Sequence, residues 1–592
     1  MSAPARVLVL PLLIATGAVN SLAQPVAGPM AAALERAVRG PEGHHLGPIG
    51  LTAGGRVIAA LEPAAPALAT QPRVVIVGGL DGSSDGARSV LEVVSWRLAA
   101  DPPVRTRRNF QLAAVPCVFA DRCDAAQVPS EEGAPPAVAA APAGAAGVAF
   151  PPDKGYFDAP DQRETRYLWR WVTMLGPDLV IDVRQGPALE WRANALAAAR
   201  VPEAAPAAAD SLAGALGAAN AAGLAGVPAL QVSGPRAAVV DALRDFLQVK
   251  VLATPSPMRR ALVQRELRAP LTVARILAAR YPANPIMSYI PALSWSGALR
   301  LSALTGDRQY RDRAVAQMTP FLTGEKAAIA EPYLLTSLAG HQAFFDLAEL
   351  EGNAAADALA RKAADFILGE TPEQIVRFAT SWTDDMFMAT SVLARAARRT
   401  GEARYAEAVA RLLTTYAATL QRQDRVFIHA RSGPHAWGRG NGFAAFGLME
   451  ALTHLPASWP ARPQVLDSFR RLMDGLRRQQ APDGMWHQVV DEPGTYREFT
   501  VSAMTVAAMA RGMRLGWIDA SFDAVLDRGW RAVLTHVTDD GELLDVCSGT
   551  GAGRNATRDY YLNRPALIGA DDRGGAMALT AALEVHALRT SR

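Results

Sequence analysis

Along roughly the first 250 residues, short apolar runs rich in β-branched side chains alternate with stretches of helical period. Arg56 to Leu61, Arg73 to Val77, Phe110 to Val115, Leu179 to Val183 and Ala229 to Val232 read as strands. A glycine-rich turn, Gly78-Gly79-Leu80-Asp81-Gly82, leads from the second of them into a helix that starts near Gly86. This alternation predicts an α/β unit, a sheet flanked by helices. After Thr254-Pro255-Ser256-Pro257 convincing strands cease and helical patterns take over, which sets a boundary near residue 255. In this second part Leu304-Thr305-Gly306-Asp307-Arg308-Gln309-Tyr310 is echoed by Arg399-Thr400-Gly401-Glu402-Ala403-Arg404-Tyr405, with Glu351-Gly352-Asn353 midway. Gly306, Gly352 and Gly401 therefore recur every 46 to 49 residues, each between two helical patterns. Such a period marks a stacked helix–turn–helix unit, repeated about six or seven times in the space available. An open superhelix has a similar period. The tryptophans, glycines and aspartates in the turns favour closure into an all-α (α/α)6 barrel, with one rim of loops forming a pocket.

Composition narrows the picture. A chain of 592 residues is too long for one ordinary domain. Its 60 basic and 57 acidic residues give a net charge of +3, which offers no electrostatic case for nucleic acid. Arg6, the apolar run Val7 to Ala18 and then Ser21-Leu22-Ala23 predict a removed secretory signal over residues 1–23, hence a periplasmic or secreted protein. That run is too short to span a bilayer, and no later stretch is long enough for a membrane span. The expected order is thus signal 1–23, α/β domain 24–254 and helical barrel 255–592. Cys117 and Cys123, six positions apart, can pair in an oxidising compartment or remain free. Cys547 reads as a lone buried thiol. The Ala/Pro/Gly tract from Val128 to Phe150 reads as a surface insertion.

In the first domain, Gly50-Leu51-Thr52-Ala53-Gly54-Gly55-Arg56 and Val74-Val75-Ile76-Val77-Gly78-Gly79-Leu80-Asp81-Gly82 resemble the entry strands of the zinc carboxypeptidase family. The resemblance implies a carboxypeptidase-like domain, but one without its metal. Asp81 and Ser84 stand where the family has a zinc-binding histidine and glutamate, and Arg184 stands in place of the third ligand. A catalytic zinc needs three protein ligands. After the signal this domain holds only His44 and His45, adjacent and best read as a polar surface pair. Asp81 reads as a turn residue or helix cap.

The chemistry gathers in the second half. Trp382-Thr383-Asp384-Asp385-Met386-Phe387-Met388 sets two carboxylates between a tryptophan and an apolar run. Acidic residues at a helix start also serve as caps, so both readings stand for the pair. After His429 comes Trp437-Gly438-Arg439-Gly440-Asn441-Gly442-Phe443, where the glycines allow close backbone approach, Trp437 offers a flat face to a sugar and Arg439 can grip a carboxylate. Asp483-Gly484-Met485-Trp486-His487-Gln488 adds an aromatic and an imidazole, with no second histidine at metal-ligand spacing, and Tyr496 to Ala503 precedes a helix with Glu498 and Ser502 as caps or ligand contacts. The Asn555-Ala556-Thr557 sequon carries no weight without a glycosylating host.

In this order and spacing the segments resemble glycoside hydrolase family 105, the unsaturated rhamnogalacturonyl hydrolases, over most of residues 260 to 592. The resemblance implies an (α/α)6 barrel that removes a terminal Δ4,5-unsaturated uronic acid from pectin-derived or related oligosaccharides, with Asp384 as catalytic acid. His429, Trp437, Arg439 and Asn441 would line the pocket, and Trp382, Asp385, Phe443, Trp486 and His487 complete the candidate substrate-binding set. No metal or other cofactor is implied. The chemistry agrees: protonating the vinyl ether needs one carboxylic acid that is neutral near the operating pH, which an apolar surround such as Trp382 and Phe387 favours. No nucleophilic carboxylate is needed. The chain departs from the family at Glu373-Gln374-Ile375-Val376-Arg377, at Leu335 to His341 where a second aspartate is usual, at Phe443 in place of tryptophan, and at Arg573 in place of histidine. These departures leave a non-catalytic carbohydrate-binding protein as the alternative, with a metallopeptidase behind it.

Overall fold

The computed structural model describes residues 28–38, 44–63, 71–99, 110–125, 148–152, 163–249, 254–371, 374–551, 553 and 556–592. The expected signal, most of the Val128 to Phe150 tract, and Asn555 of the sequon lie outside the described residues. So does Glu373 in the Glu373 to Arg377 segment.

The first part is built on one eight-stranded mixed sheet: β1 (His44–Leu51), β2 (Val57–Pro63), β3 (Arg73–Gly78), β4 (Gln111–Val115), β5 (Leu179–Gln185), β6 (Glu190–Ala193), β7 (Ala205–Pro206) and β8 (Ala229–Gly234). Their order is β1-β2-β4-β3-β5-β8-β6-β7, with β4, β3, β5 and β8 parallel at the centre. All five strands read from the sequence are present. The continuous apolar run of β3 fits its place, because a central parallel strand is covered on both faces. Its side chains alternate as a strand requires. Val74 and Ile76 pack under the helices Ser84–Leu98 and Arg236–Val249, whereas Val75 and Val77 face the helix Arg163–Leu175 and join the core of the second part. Cys117 and Cys123 form a disulfide, and Cys547 is a buried free thiol.

At the join, the Asp178 carboxylate accepts from the backbone N–H groups of Arg73 (2.8 Å) and Ser256 (2.7 Å) and pairs with Arg259. Ser256 caps the helix Pro257–Glu266, whose first residue is a proline that needs no amide partner. From there on the architecture is helical. Six inner helices, Tyr289–Thr305, Gln342–Glu351, Thr383–Thr400, Gly438–His454, Phe499–Arg514 and Asp572–Thr590, pack in a ring. The ring closes, because the last packs against both the fifth and the first. Outer helices Pro270–Arg280, Arg308–Leu322, Ala354–Ile367, Ala403–Leu420, Arg462–Arg478 and Asp523–Thr535 cover it. The first and last hairpins are also tied by the Asp572 carboxylate, which accepts from the N–H groups of Ala283 (2.7 Å) and Asn284 (2.9 Å). The arrangement is the closed barrel, not an open superhelix.

The recurring glycines are the hinges of this repeat. Gly306, Gly352 and Gly401 end helices with φ of 73°, 66° and 74°, the left-handed region that favours glycine. Asp307 and Asn353 then cap the returning helices. Inner helices are buried almost all round, so their backbones approach closely. At Gly447 a Cβ would lie 2.2 Å from the Met386 carbonyl oxygen of the neighbouring inner helix. Gly447→Ala is therefore expected to lower stability by about 1–3 kcal/mol, read as a lower denaturation midpoint. An unchanged midpoint would mean that these helices do not meet there.

Among the described residues no helix is long and apolar enough to cross a membrane, and no three His, Cys, Asp or Glu side chains converge as a metal site. Asp81 is a turn brace. It accepts from the N–H groups of Ser83 and Gln185, both at 2.9 Å, while Ser83 caps the following helix.

Candidate active site

The inner helices all start on one rim, and the candidate residues come together there. The helix Thr383–Thr400 carries both aspartates in its first turn, and they point to different surroundings. Asp385, 1% exposed, accepts from the N–H groups of Thr380 and Ser381 (both 2.8 Å), from the Thr380 hydroxyl (2.9 Å) and from the Tyr416 hydroxyl (2.7 Å). It braces the turn in which Ser381 holds a left-handed φ of 63°. Burial pushes its carboxyl up to about 6. The hydrogen bonds from Tyr416 and Thr380 oppose that rise, and the charge of Asp384 adds to it. Three of these bonds end on its Oδ2 and one on its Oδ1, which gives Asp385 a structural role in the turn.

Asp384 faces the rim, with 18% of its side chain exposed. Its Oδ2 shares a hydrogen bond with Nε2 of His429 at 3.1 Å, and its other oxygen meets no partner among the described residues. His429 is fully buried, and its Nδ1 lies 2.6 Å from the Tyr561 hydroxyl. Asp384, His429 and Tyr561 thus form a short hydrogen-bonded chain that holds the imidazole ring in one orientation. Backbone bonds hold the histidine in register: its carbonyl accepts from Thr383 N–H (2.9 Å), and its N–H donates to the His435 carbonyl (2.8 Å). Trp382 and Trp437 flank the imidazole, with ring centroids at 5.3 and 4.6 Å. Gly440 lets these parts meet, since a Cβ there would lie 2.7 Å from the Thr383 hydroxyl and 3.1 Å from the Trp437 ring.

Arg439 is 2% exposed. Its Nη2 donates to the Cys547 carbonyl (2.7 Å), and its guanidinium carbon lies 5.2 Å from the centroid of the Trp437 ring. Its Nε, together with Trp437 Nε1, the Thr383 hydroxyl and Gln488 Oε1, is buried with no hydrogen-bond partner. Three of these atoms lie on the segments that carry Asp384 and Arg439, and the fourth, on Gln488, belongs to the Asp483 to Gln488 segment. Tyr289 contributes from the first inner helix. Burial pushes its hydroxyl up to about 12; Arg439 opposes and Asp384 adds to the rise.

Four other candidates are engaged by packing or by the protein's own hydrogen bonds. Asn441 is fully buried and staples the loop before it, accepting from Phe427 N–H (2.7 Å) and donating to the carbonyls of Phe427 (2.9 Å) and Trp437 (3.0 Å). It therefore braces the loop that leads to His429. Phe443 stacks on Phe387 and meets Tyr289 edge-on in the core. Trp486 has no exposed face, and its Nε1 donates to the Leu476 carbonyl (2.7 Å). His487 is buried beside Arg497 with its Nδ1 on the Thr495 carbonyl (2.8 Å), and burial pulls its imidazole down to about 4, so it is neutral. Tyr289, Tyr561 and Gln488 are the members that the sequence reading missed. The Tyr560-Tyr561 pair was the one visible signal.

The model of Glycosyl Hydrolase Family 88 matches residues 277–589, more than half of the chain and all of the segments above. The chain belongs to Glycosyl Hydrolase Family 88. It is a glycoside hydrolase. This family 88 chain is 25% identical over 288 residues to an unsaturated 3S-rhamnoglycuronyl hydrolase of Alteromonas sp. (strain LOR), covering 43% of this chain and 69% of the relative. To the unsaturated rhamnogalacturonyl hydrolase YesR of Bacillus subtilis (strain 168) it is 30% identical over 120 residues, covering 20% of this chain and 33% of the relative. Among solved structures, a family 105 glycoside hydrolase of C. acetobutylicum ATCC 824 aligns with 53% of this chain and 98% of its own, at 21% identity and a TM-score of 0.49.

Proposed function

We propose that the barrel removes a terminal Δ4,5-unsaturated uronic acid from an oligosaccharide, of the pectin-derived rhamnogalacturonyl kind or a related one, with Asp384 as the acid. The observation that carries this reading is the asymmetry of the aspartate pair. Asp385 is wholly engaged by the protein, whereas Asp384 offers one oxygen to the rim and the other to His429. The names of the two curated relatives support an unsaturated uronate as the sugar.

Asp384 delivers its proton to C4 of the vinyl ether, and the positive charge that develops at C5 is shared with the ring oxygen. Water adds at C5 and its proton returns to the Asp384 carboxylate. The resulting hemiketal opens between C5 and the ring oxygen, which leaves a hemiacetal at C1 that releases the next sugar. His429, fixed by Tyr561, holds the carboxyl in one orientation throughout. Trp382 offers a partly exposed ring at the mouth, and Arg439 with its unpaired Nε supplies the partner for the uronate carboxylate. Incubation with Δ4,5-unsaturated oligosaccharides is expected to abolish the ultraviolet absorbance of the conjugated double bond. Binding without loss of absorbance would instead make the protein a carbohydrate-binding pseudoenzyme.

For residues 24–254 the proposal is a carboxypeptidase-like domain without zinc ligands, joined to the barrel unit 255–592. A mixed sheet with a parallel centre and Asp81 used as a turn brace support it. Export to the periplasm or beyond is proposed with it, supported by the Cys117–Cys123 disulfide, since such bonds persist in oxidising compartments.

A further inference from the structure

One side chain of the sheet part reaches into the barrel part at a place that bears on the site. Arg170, on the helix Arg163–Leu175, is buried, with its Nε donating to Oδ2 of Asp545 at 2.6 Å and its Nη2 donating to the Arg497 carbonyl. Asp545 is fully buried in the strand Leu543–Cys547, where the register with Ala566–Gly569 slips, and it holds a left-handed φ of 62°. Aspartate adopts that region more readily than most residues, and its surroundings hold it there. The surroundings here are Arg170 and His536, whose Nε2 lies 3.3 Å from the same carboxylate oxygen.

Both segments that Arg170 grips lead directly to the site. Two residues beyond Asp545, the Cys547 N–H donates to Glu498 Oε1 (2.9 Å), and its carbonyl accepts from Arg439 Nη2 (2.7 Å). Next to Arg497, Glu498 caps the inner helix Phe499–Arg514 through the N–H groups of Thr500 (2.9 Å) and Val501 (2.7 Å). A second tie crosses the same joint: Glu62 of β2 accepts from Trp171 Nε1 and from Arg497 Nη2, each at 2.8 Å. The Arg439 guanidinium thus hangs on a carbonyl whose strand is set by an arginine 375 positions away from Asp545 in sequence.

We infer that Arg170 is a positioning residue for the glycosidase site: the sheet domain sets the place of Arg439, and through it the binding of the uronate carboxylate. The inference rests on the proposed function and gives the sheet domain a task within the same reaction. Arg170 forks to two acceptors, which a lysine cannot reproduce. In the full-length protein, Arg170→Met is expected to raise KM for an unsaturated oligosaccharide by about tenfold while kcat stays within about threefold, the pattern of lost ground-state binding. Arg170→Lys should do the same, and it keeps the cation if the methionine variant does not fold. In an Arg439→Lys background the effect of the Arg170 substitution should vanish, because the group it positions is already lost. A role confined to holding the domains together would lower the folded fraction and add to the Arg439 effect without raising KM. Wild-type kinetics in either folded Arg170 variant, or full additivity with Arg439→Lys, would overturn the inference. An inactive wild type would instead overturn the proposed function.

Discussion

Asp384→Asn is expected to lower kcat by about 10³-fold or more, near the upper part of what a positioned general acid contributes. KM should stay within a few-fold and the denaturation midpoint should be nearly unchanged. The amide has the shape of the carboxyl and can still share a hydrogen bond with His429 Nε2, so the rim keeps its geometry. What it lacks is a proton that can be given to carbon. Asp384 is the more exposed carboxyl of this turn, with one oxygen directed away from His429, whereas Asp385 is buried and accepts from Thr380, Ser381 and Tyr416. Absorbance loss measured for wild type, Asp384→Asn and Asp385→Asn decides the matter. A larger drop for Asp385→Asn than for Asp384→Asn would reverse the assignment.

The parts of this molecule that could be read from the sequence are those governed by local period. The β3 run Val74 to Val77 announces a strand covered on both faces, and Gly306, Gly352 and Gly401 announce helix ends, because left-handed backbone favours glycine whatever surrounds it. Side-chain direction within a motif is not local. Trp437 and Trp486 both sit in aromatic, glycine-bearing segments, yet one flanks His429 and the other is a core residue bonded to the Leu476 carbonyl. Asn441 shares its segment with Arg439, yet it is consumed by the backbone of Phe427 and Trp437. Partners that arrive from distant hairpins leave no trace in spacing. Tyr561 lies 132 positions from the His429 it orients, and Arg170 belongs to the other part of the chain altogether. The aspartate pair shows the same limit at single-residue scale. Both residues fit a helix start, and their surroundings in the folded barrel separate a carboxylate bonded into the preceding turn from one that faces the rim.

That separation carries the second large effect, on stability. Asp385→Ala removes the acceptor for two backbone N–H groups of the exposed Thr380–Ser381 turn, which can turn to water, and for the buried Tyr416 hydroxyl, and leaving such a buried donor unmade costs about 1–3 kcal/mol. The expected loss is about 1–3 kcal/mol, together with fraying of the Thr380–Trp382 turn that presents Asp384. Asp385→Asn behaves differently, because its amide oxygen can accept from the same N–H groups while its NH₂ faces the Thr380 hydroxyl. Here pH enters. Burial holds the Asp385 carboxyl at about 6 in the folded protein, against the ordinary 3.8 that the unfolded chain regains. The folded state therefore binds the extra proton between these values. The stability this provides is fully present below the unfolded value and is lost as pH rises through about 6, a span worth about 3 kcal/mol. The asparagine variant has no such proton to lose. Chemical denaturation at pH 4 and pH 7.5 should show Asp385→Asn gaining on wild type by up to that amount at the higher pH, with Asp385→Ala below both at each. A constant gap between wild type and Asp385→Asn across this range would mean that Asp385 titrates in the folded barrel as an ordinary carboxylate.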